Sequence, residues 1–266
     1  MKIIISHDVD HLGVREHWLK DLIIQKYIIW SLLELYRNKI SLNTFLKKII
    51  GLFKKNAWNN LEKLLQFDKE NEVKPTFFIA VNNGKGLNYS LKQARIAFDL
   101  IKKYDFDIGC HGICFNDNDY EGIKKEFEIF KKLTGLKNFG VRMHYLRLDK
   151  DTLKNLAKVG YLFDTTVLSD KLDQEYRIND MIEIPFHLME GILLGPKSKY
   201  KLDEVKQKTL DLLNEAIKKN VKYFGVLFHQ EYFNDEFPQY KNWYIWLIDY
   251  CKNKGFQFIN YKDLIK

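Results

Sequence analysis

The chain has 266 residues, 46% of them hydrophobic and 29% charged, with only four prolines. That balance excludes a disordered chain and supports one compact domain with a sizeable core. The formal charge of +8 comes mostly from lysines spread singly or in pairs, such as Lys47 and Lys48 or Lys218 and Lys219; without an Arg-rich run or a stacking platform they read as solvated helix faces, not as a nucleic-acid interface.

The chain opens with a short apolar strand, Lys2 to Ser6, followed by helical pattern from His11 to about Glu72. Gly51 and the Asn-rich stretch near Asn56 to Asn60 divide that pattern into separate helices. A second strand is predicted at Thr76 to Ala80, a helix at Leu91 to Tyr104, a strand at Phe106 to Cys110 and a helix at Tyr120 to Leu133. Strand signals then recur at Phe139 to Met143, Ile182 to Pro185, Tyr223 to Phe228 and Phe256 to Asn260, with helices at Lys150 to Val159 and Leu202 to Lys219. Such alternation implies a parallel sheet with helical crossovers, hence an α/β barrel or doubly wound sheet. A connection of some sixty residues after the first strand is an insertion, about 12–72. On a barrel it would sit at the substrate-binding rim, as a lid or as a packing layer.

Cys110, Cys114 and Cys251 are too few and too scattered for a disulfide framework and fit a reducing compartment. The first residues carry no apolar stretch of signal-peptide length, and Leu22 to Leu35 is too short and too interrupted to span a bilayer. A cytoplasmic chain without stable membrane insertion is expected. Leu22 to Leu35 reads as an amphipathic helix.

Polar residues gather where strands end: Ser6-His7-Asp8-Val9-Asp10-His11, Gly109-Cys110-His111-Gly112, Gly140-Val141-Arg142-Met143-His144-Tyr145 and Phe228-His229-Gln230-Glu231. Of the seven histidines only His17 lies well inside a predicted helix. Two carboxylates one residue apart, Asp8 and Asp10, let one bind a metal while the other takes a proton from bound water, although a turn or helix cap uses the same pattern. His111 precedes a glycine that allows close approach; a core histidine is the alternative. Arg142 and His144, two apart in a strand, point to the same side, and Arg142 suits Asp8 as an ion-pair partner. His229 ends an apolar strand, as a general acid or as a satisfied buried histidine.

These blocks resemble the NodB-homology polysaccharide deacetylases of carbohydrate esterase family four. Ser6 to His11, Pro75 to Ala80, Ile108 to Gly112, Gly140 to Arg147 and Val226 to Tyr232 match in order, with Tyr161 to Thr166 as a weaker sixth block. The resemblance implies a distorted (β/α)7 barrel and metal-dependent removal of an acetyl group from a sugar of a bacterial surface polysaccharide or its precursor. It implies Asp8 as general base, Asp10 and His111 as metal ligands, Arg142 as the group that orients Asp8, and His229 as the acid. Tyr145 and Glu231 are assigned to substrate, and the cofactor to a divalent metal, zinc before nickel, cobalt or iron. Where the family has a second histidine four residues after the first, this chain has Phe115, so the third ligand is His144, Asp117 or Asp119. A metal-free sugar-binding barrel of altered chemistry is the alternative. A phosphatase of the haloacid dehalogenase type, which also uses Asp-x-Asp, fits less well because His11-Leu12 replaces the usual Gly-Thr.

Overall fold

The computed structural model describes residues 1–18, 21–54, 58–114, 119–195 and 197–265. Its strands are β1 (Lys2–Val9), β2 (Thr76–Ile79), β3 (Asp107–Gly112), β4 (Val141–Met143), β5 (Phe163–Asp164), β6 (Tyr176–Ile178), β7 (Met181–Glu183), β8 (Leu188–Met189), β9 (Tyr223–Leu227) and β10 (Gln257–Ile259). The helices are α1 (Ile23–Tyr36), α2 (Leu42–Gly51), α3 (Leu61–Glu70), α4 (Leu91–Lys103), α5 (Tyr120–Thr134), α6 (Thr152–Val159), α7 (Glu190–Leu194), α8 (Leu202–Lys218), α9 (Pro238–Asn253) and α10 (Lys262–Ile265).

The sheet runs β6-β7-β5-β4-β3-β2-β1-β9-β8, all parallel except the β6–β7 pair. The short strands β7 and β8 are two halves of one stretch, 181–189. The first half pairs with β5 and the second with β9, so the ends of the sheet meet in a distorted seven-stave barrel. One edge of β1 is shared: Lys2 to Ile4 pair with β10, and Ser6 to Val9 pair with β2.

Strand alternation sorts the side chains. Along β1, Ile3, Ile5 and Val9 face the helices and join the large outer core, whereas Ile4 belongs to a small inner cluster with Phe78, Phe163, Ile184, Tyr223 and Tyr261. The inner cluster plugs one end of the barrel. Above it the same inward parity brings Ser6, Asp8 and Asp10 from β1, His111 from β3 and Arg142 from β4. Gly140 makes room there: a Cβ at this position would lie 2.3 Å from the Phe163 ring.

Two other histidines near strand ends, His7 and His187, are structural. His7 has the outward parity of β1: its Nδ1 faces Phe228 O at 2.8 Å and its Nε2 faces Asp68 Oδ2 of α3 at 3.0 Å. Tyr244 of α9 donates to the other Asp68 oxygen at 2.7 Å, so one buried network ties β1 to two helices. His187 accepts from Gly225 N through Nδ1 and bonds Asp173 O through Nε2. His17 lies in a one-turn 3-10 stretch, not a long helix, and pairs with Asp21 at 2.9 Å.

The insertion folds as a short 3-10 turn followed by α1, α2 and α3. α3 packs on the outer face of β1, whereas residues of α1 and α2 border the cavity; Lys48, expected on a solvated face, is buried and paired with Glu34 at 2.6 Å. No helix among the described residues is long and apolar enough to cross a membrane.

Candidate active site

Arg142 fixes one wall. Its guanidinium is fully buried between the rings of Phe78 and Phe186, at 4.6 and 4.9 Å. It donates to Asp8 Oδ1 at 3.0 Å, to Thr165 O at 2.9 Å and to the Tyr261 hydroxyl at 2.8 Å. Burial works against its charge, but Tyr261 and Asp8 more than offset that and raise its pKa. Asp8 thus has one oxygen anchored, and the other lies 3.8 Å from His111 Nε2.

The histidine tautomers follow from their backbone partners. His111 Nδ1 donates to Arg142 O at 2.9 Å, and His144 Nε2 donates to Lys85 O at 3.1 Å; a carbonyl can only accept. In the neutral rings His111 Nε2 and His144 Nδ1 therefore present lone pairs, and they face each other at 3.1 Å. Asp10 Oδ1 lies 3.1 Å from the first and 3.7 Å from the second, buried and without a well-aligned hydrogen bond. These three atoms lie within 4.8 Å of one another. Three buried acceptors facing inward need a cation or a proton between them, and one carboxylate with two imidazoles is a donor set that suits zinc or a similar divalent ion.

Burial and neighbouring charges shift all three groups. Burial opposes the Asp10 charge, yet His144, His111 and His229 hold its pKa well below the usual carboxylate range. Burial, reinforced by His111, drives His144 down to about 4 despite Asp10. Burial also works against a charged His111, but Asp8 and Asp10 outweigh it and raise its pKa.

On the far side, His229 Nε2 is 3.9 Å from Asp10 Oδ2, while its Nδ1 bonds Glu190 Oε1 at 2.6 Å. Burial opposes protonation of His229; Glu190 prevails and raises its pKa well above the ordinary imidazole value. Glu190, the partner of His229, is not among the expected site residues. It opens the short helix α7 just after a two-residue strand, where no periodicity marks it.

A cavity of about 470 Å³ opens in front of Asp8, Asp10, His144 and His229. Tyr145 stands at its edge, 65% exposed, with its ring 4.0 Å from that of His144 and its backbone in the left-handed region at φ 58°. Non-glycine residues hold that conformation at a cost, often next to ligands. Deeper in, Glu231 is buried with Oε2 unpartnered, and burial raises its pKa to about 8. The insertion supplies another wall through Tyr27, Trp30 and Trp58. The eight expected site residues, Asp8, Asp10, His111, Arg142, His144, Tyr145, His229 and Glu231, thus come to one place. Of the alternative ligands, Asp119 is the N-cap of α5, accepting from Gly122 N at 2.5 Å; Asp117, like Phe115, lies outside the described residues.

Compared with known proteins, the sequence matches no protein-family model and no curated protein. Its structure matches that of a putative polysaccharide deacetylase from Mycobacterium smegmatis with a TM-score of 0.65 and 15% identity, over 99% of this chain and 88% of that one. The fold is that of the polysaccharide deacetylases. Weaker likenesses are found to the polysaccharide deacetylase Bc1974 from Bacillus cereus, with a TM-score of 0.47, 15% identity and coverage of 76% and 85%. Another is BA3943, a CE4 family pseudoenzyme from Bacillus anthracis, with a TM-score of 0.46, 14% identity and coverage of 79% and 62%.

Proposed function

We propose that the chain is a metal-dependent hydrolase that removes an acetyl or similar acyl group from a sugar of a bacterial surface polysaccharide or its precursor. The observation that carries this reading is the convergence of Asp10 Oδ1, His111 Nε2 and His144 Nδ1 with no hydrogen-bond donor among them. Asp10, His111 and His144 would hold the ion, which when bound polarises an acyl carbonyl and acidifies water. Asp8, anchored on Arg142 through Oδ1, keeps Oδ2 to accept the proton of the attacking water. His229, with its Nδ1 proton held by Glu190, presents Nε2 to the departing nitrogen or oxygen and donates the proton that leaving requires. Tyr145 and Glu231 contact the sugar, and Glu231, protonated up to about pH 8, donates a hydrogen bond to a hydroxyl.

The test is elemental analysis of protein purified without chelator or metal-affinity resin, together with acetate release from N-acetylated and O-acetylated sugars. Close to one equivalent of a divalent metal is expected, lost in Asp10→Ala and His111→Ala and at least reduced in His144→Ala. Protein that takes up no metal on incubation with zinc, nickel, cobalt or iron, and releases no acetate, overturns the proposal.

A pH profile separates the proton donor from the rest. His229 must be protonated to donate, so activity declines as pH rises through its pKa, which Glu190 holds up. Glu190→Gln removes the negative charge and moves the basic limb of kcat/KM to lower pH. An unmoved limb removes His229 from the role of acid.

A further inference from the structure

The first two helices of the insertion turn charged residues inward and leave large apolar side chains exposed. In α1 the buried positions are Ser31 and Glu34, and in α2 they are Lys48 and Gly51. Glu34 and Lys48 pair with each other and both line the cavity, while Ile23, Ile24, Tyr27 and Ile28 of α1 pack on the small cluster of Val14, Leu52 and Trp58. At 3.6 residues per turn, the opposite side of α1 carries Leu22, Ile29, Leu32 and Tyr36, and that of α2 carries Leu42, Leu46, Ile50 and, just beyond its end, Phe53. Each of these eight side chains is at least 49% exposed. Trp18, 50% exposed, packs edge-on against Phe53 and extends the surface. Of the seventeen large apolar side chains exposed among the described residues, nine lie between Trp18 and Phe53. A solvated helix pair puts its apolar stripe inward, and a continuous outward stripe of this kind marks a contact surface.

The charges beside the stripes identify the partner. Residues 22–54 contain one acidic residue, Glu34, which is buried in its pair with Lys48. Lys26, Lys47 and Lys54 are exposed on the same helices or just past them. The face therefore offers apolar side chains rimmed by positive charge, on a chain whose net charge is +8. A second copy docked on this face would set those lysines against their own kind. We propose that the α1–α2 face docks on an anionic lipid bilayer, lying in the headgroup region with its apolar stripes inward and its lysines on the lipid phosphates.

The orientation has a consequence for the site, and this consequence rests on the hydrolase reading. Ile23, Lys26, Tyr27 and Trp30 of the same helix border the cavity, so docking holds the cavity about one helix diameter, ~10 Å, from the lipid surface. A saccharide carried on a lipid would then reach Asp10 and His144 while its carrier stays in the membrane.

The experiment is flotation of the full chain with phosphatidylcholine vesicles with and without phosphatidylglycerol, with size-exclusion chromatography at the same concentration. It reads no hydrolysis, so it fails or succeeds independently of the enzymatic reading. The expected result is a monomer that floats with the phosphatidylglycerol vesicles. Binding should fall roughly tenfold or more in Ile29→Ser/Leu32→Ser/Ile50→Ser, and also in Lys26→Glu/Lys47→Glu, which leaves the apolar stripes intact. Because these side chains are exposed, far-UV circular dichroism and the melting temperature should stay near those of the parent. Absence of flotation at low salt overturns the proposal. So does a parent dimer that the apolar variant converts to monomer, which would assign the face to a second copy.

Discussion

On the proposed hydrolase reading, Asp8→Asn is expected to retain metal binding and to lose about 10²–10⁴-fold in kcat, with KM little changed. The asparagine is isosteric and its carbonyl can still accept from Arg142, so the wall of the site stays in place. Asp8 is not among the three converging ligand atoms, and its free oxygen lies 3.8 Å from His111 Nε2, beside the cluster and not within it. The substitution therefore removes the proposed proton acceptor without disturbing the three atoms proposed to hold the ion. Asp10→Ala differs in kind, because it removes the ligand atom closest to both imidazoles. Steady-state kinetics with metal analysis on the same preparations separates the two roles. A kcat for Asp8→Asn within tenfold of the parent would take Asp8 out of the base role, and loss of metal would make it a ligand instead.

Strand parity made most of this site legible from sequence. Residues two apart on one strand share a face, so Asp8 with Asp10 and Arg142 with His144 could be grouped before any coordinates. The same rule applied to His7 places it on the opposite face from Asp8, and the Asp68–Tyr244 network bears that out. Position at a strand end alone does not separate such structural histidines, His7 and His187, from those of the site. The pairing of Glu190 with His229 was not legible because β8 has two residues and α7 has five, too few for either period to register. The helix α9 was missed for a different reason. Aromatic residues crowd most of its circumference, with Tyr240, Trp243, Tyr244, Leu247, Ile248 and Cys251 all buried, which blurs a 3.6-residue rhythm. The insertion shows the converse limit. Its period was plain, but periodicity identifies an apolar stripe without saying which way it points; here Glu34 and Lys48 turn inward and the stripe turns out.

The buried ion pair beneath the site sets the largest stability effect. Arg142→Met is expected to lower the unfolding free energy by about 3–5 kcal/mol, read from urea denaturation. Arg142 is fully buried and its guanidinium satisfies Asp8 Oδ1, Thr165 O and the Tyr261 hydroxyl together. Methionine fits between Phe78 and Phe186 but donates to none of them, leaving a buried carboxylate without its counterion. Water drawn in beside Asp8 would relax the geometry that holds its second oxygen near His111. Removing both charges tests whether the loss comes from the pair or from packing. Asp8→Leu/Arg142→Met leaves no stranded charge, so much of the lost stability should return, while on the hydrolase reading activity stays absent because the proposed proton acceptor is gone. If the double variant is as unstable as Arg142→Met, the cost lies in Thr165, Tyr261 and the ring packing. The Asp8–Arg142 pair would then serve orientation of the base and not the fold.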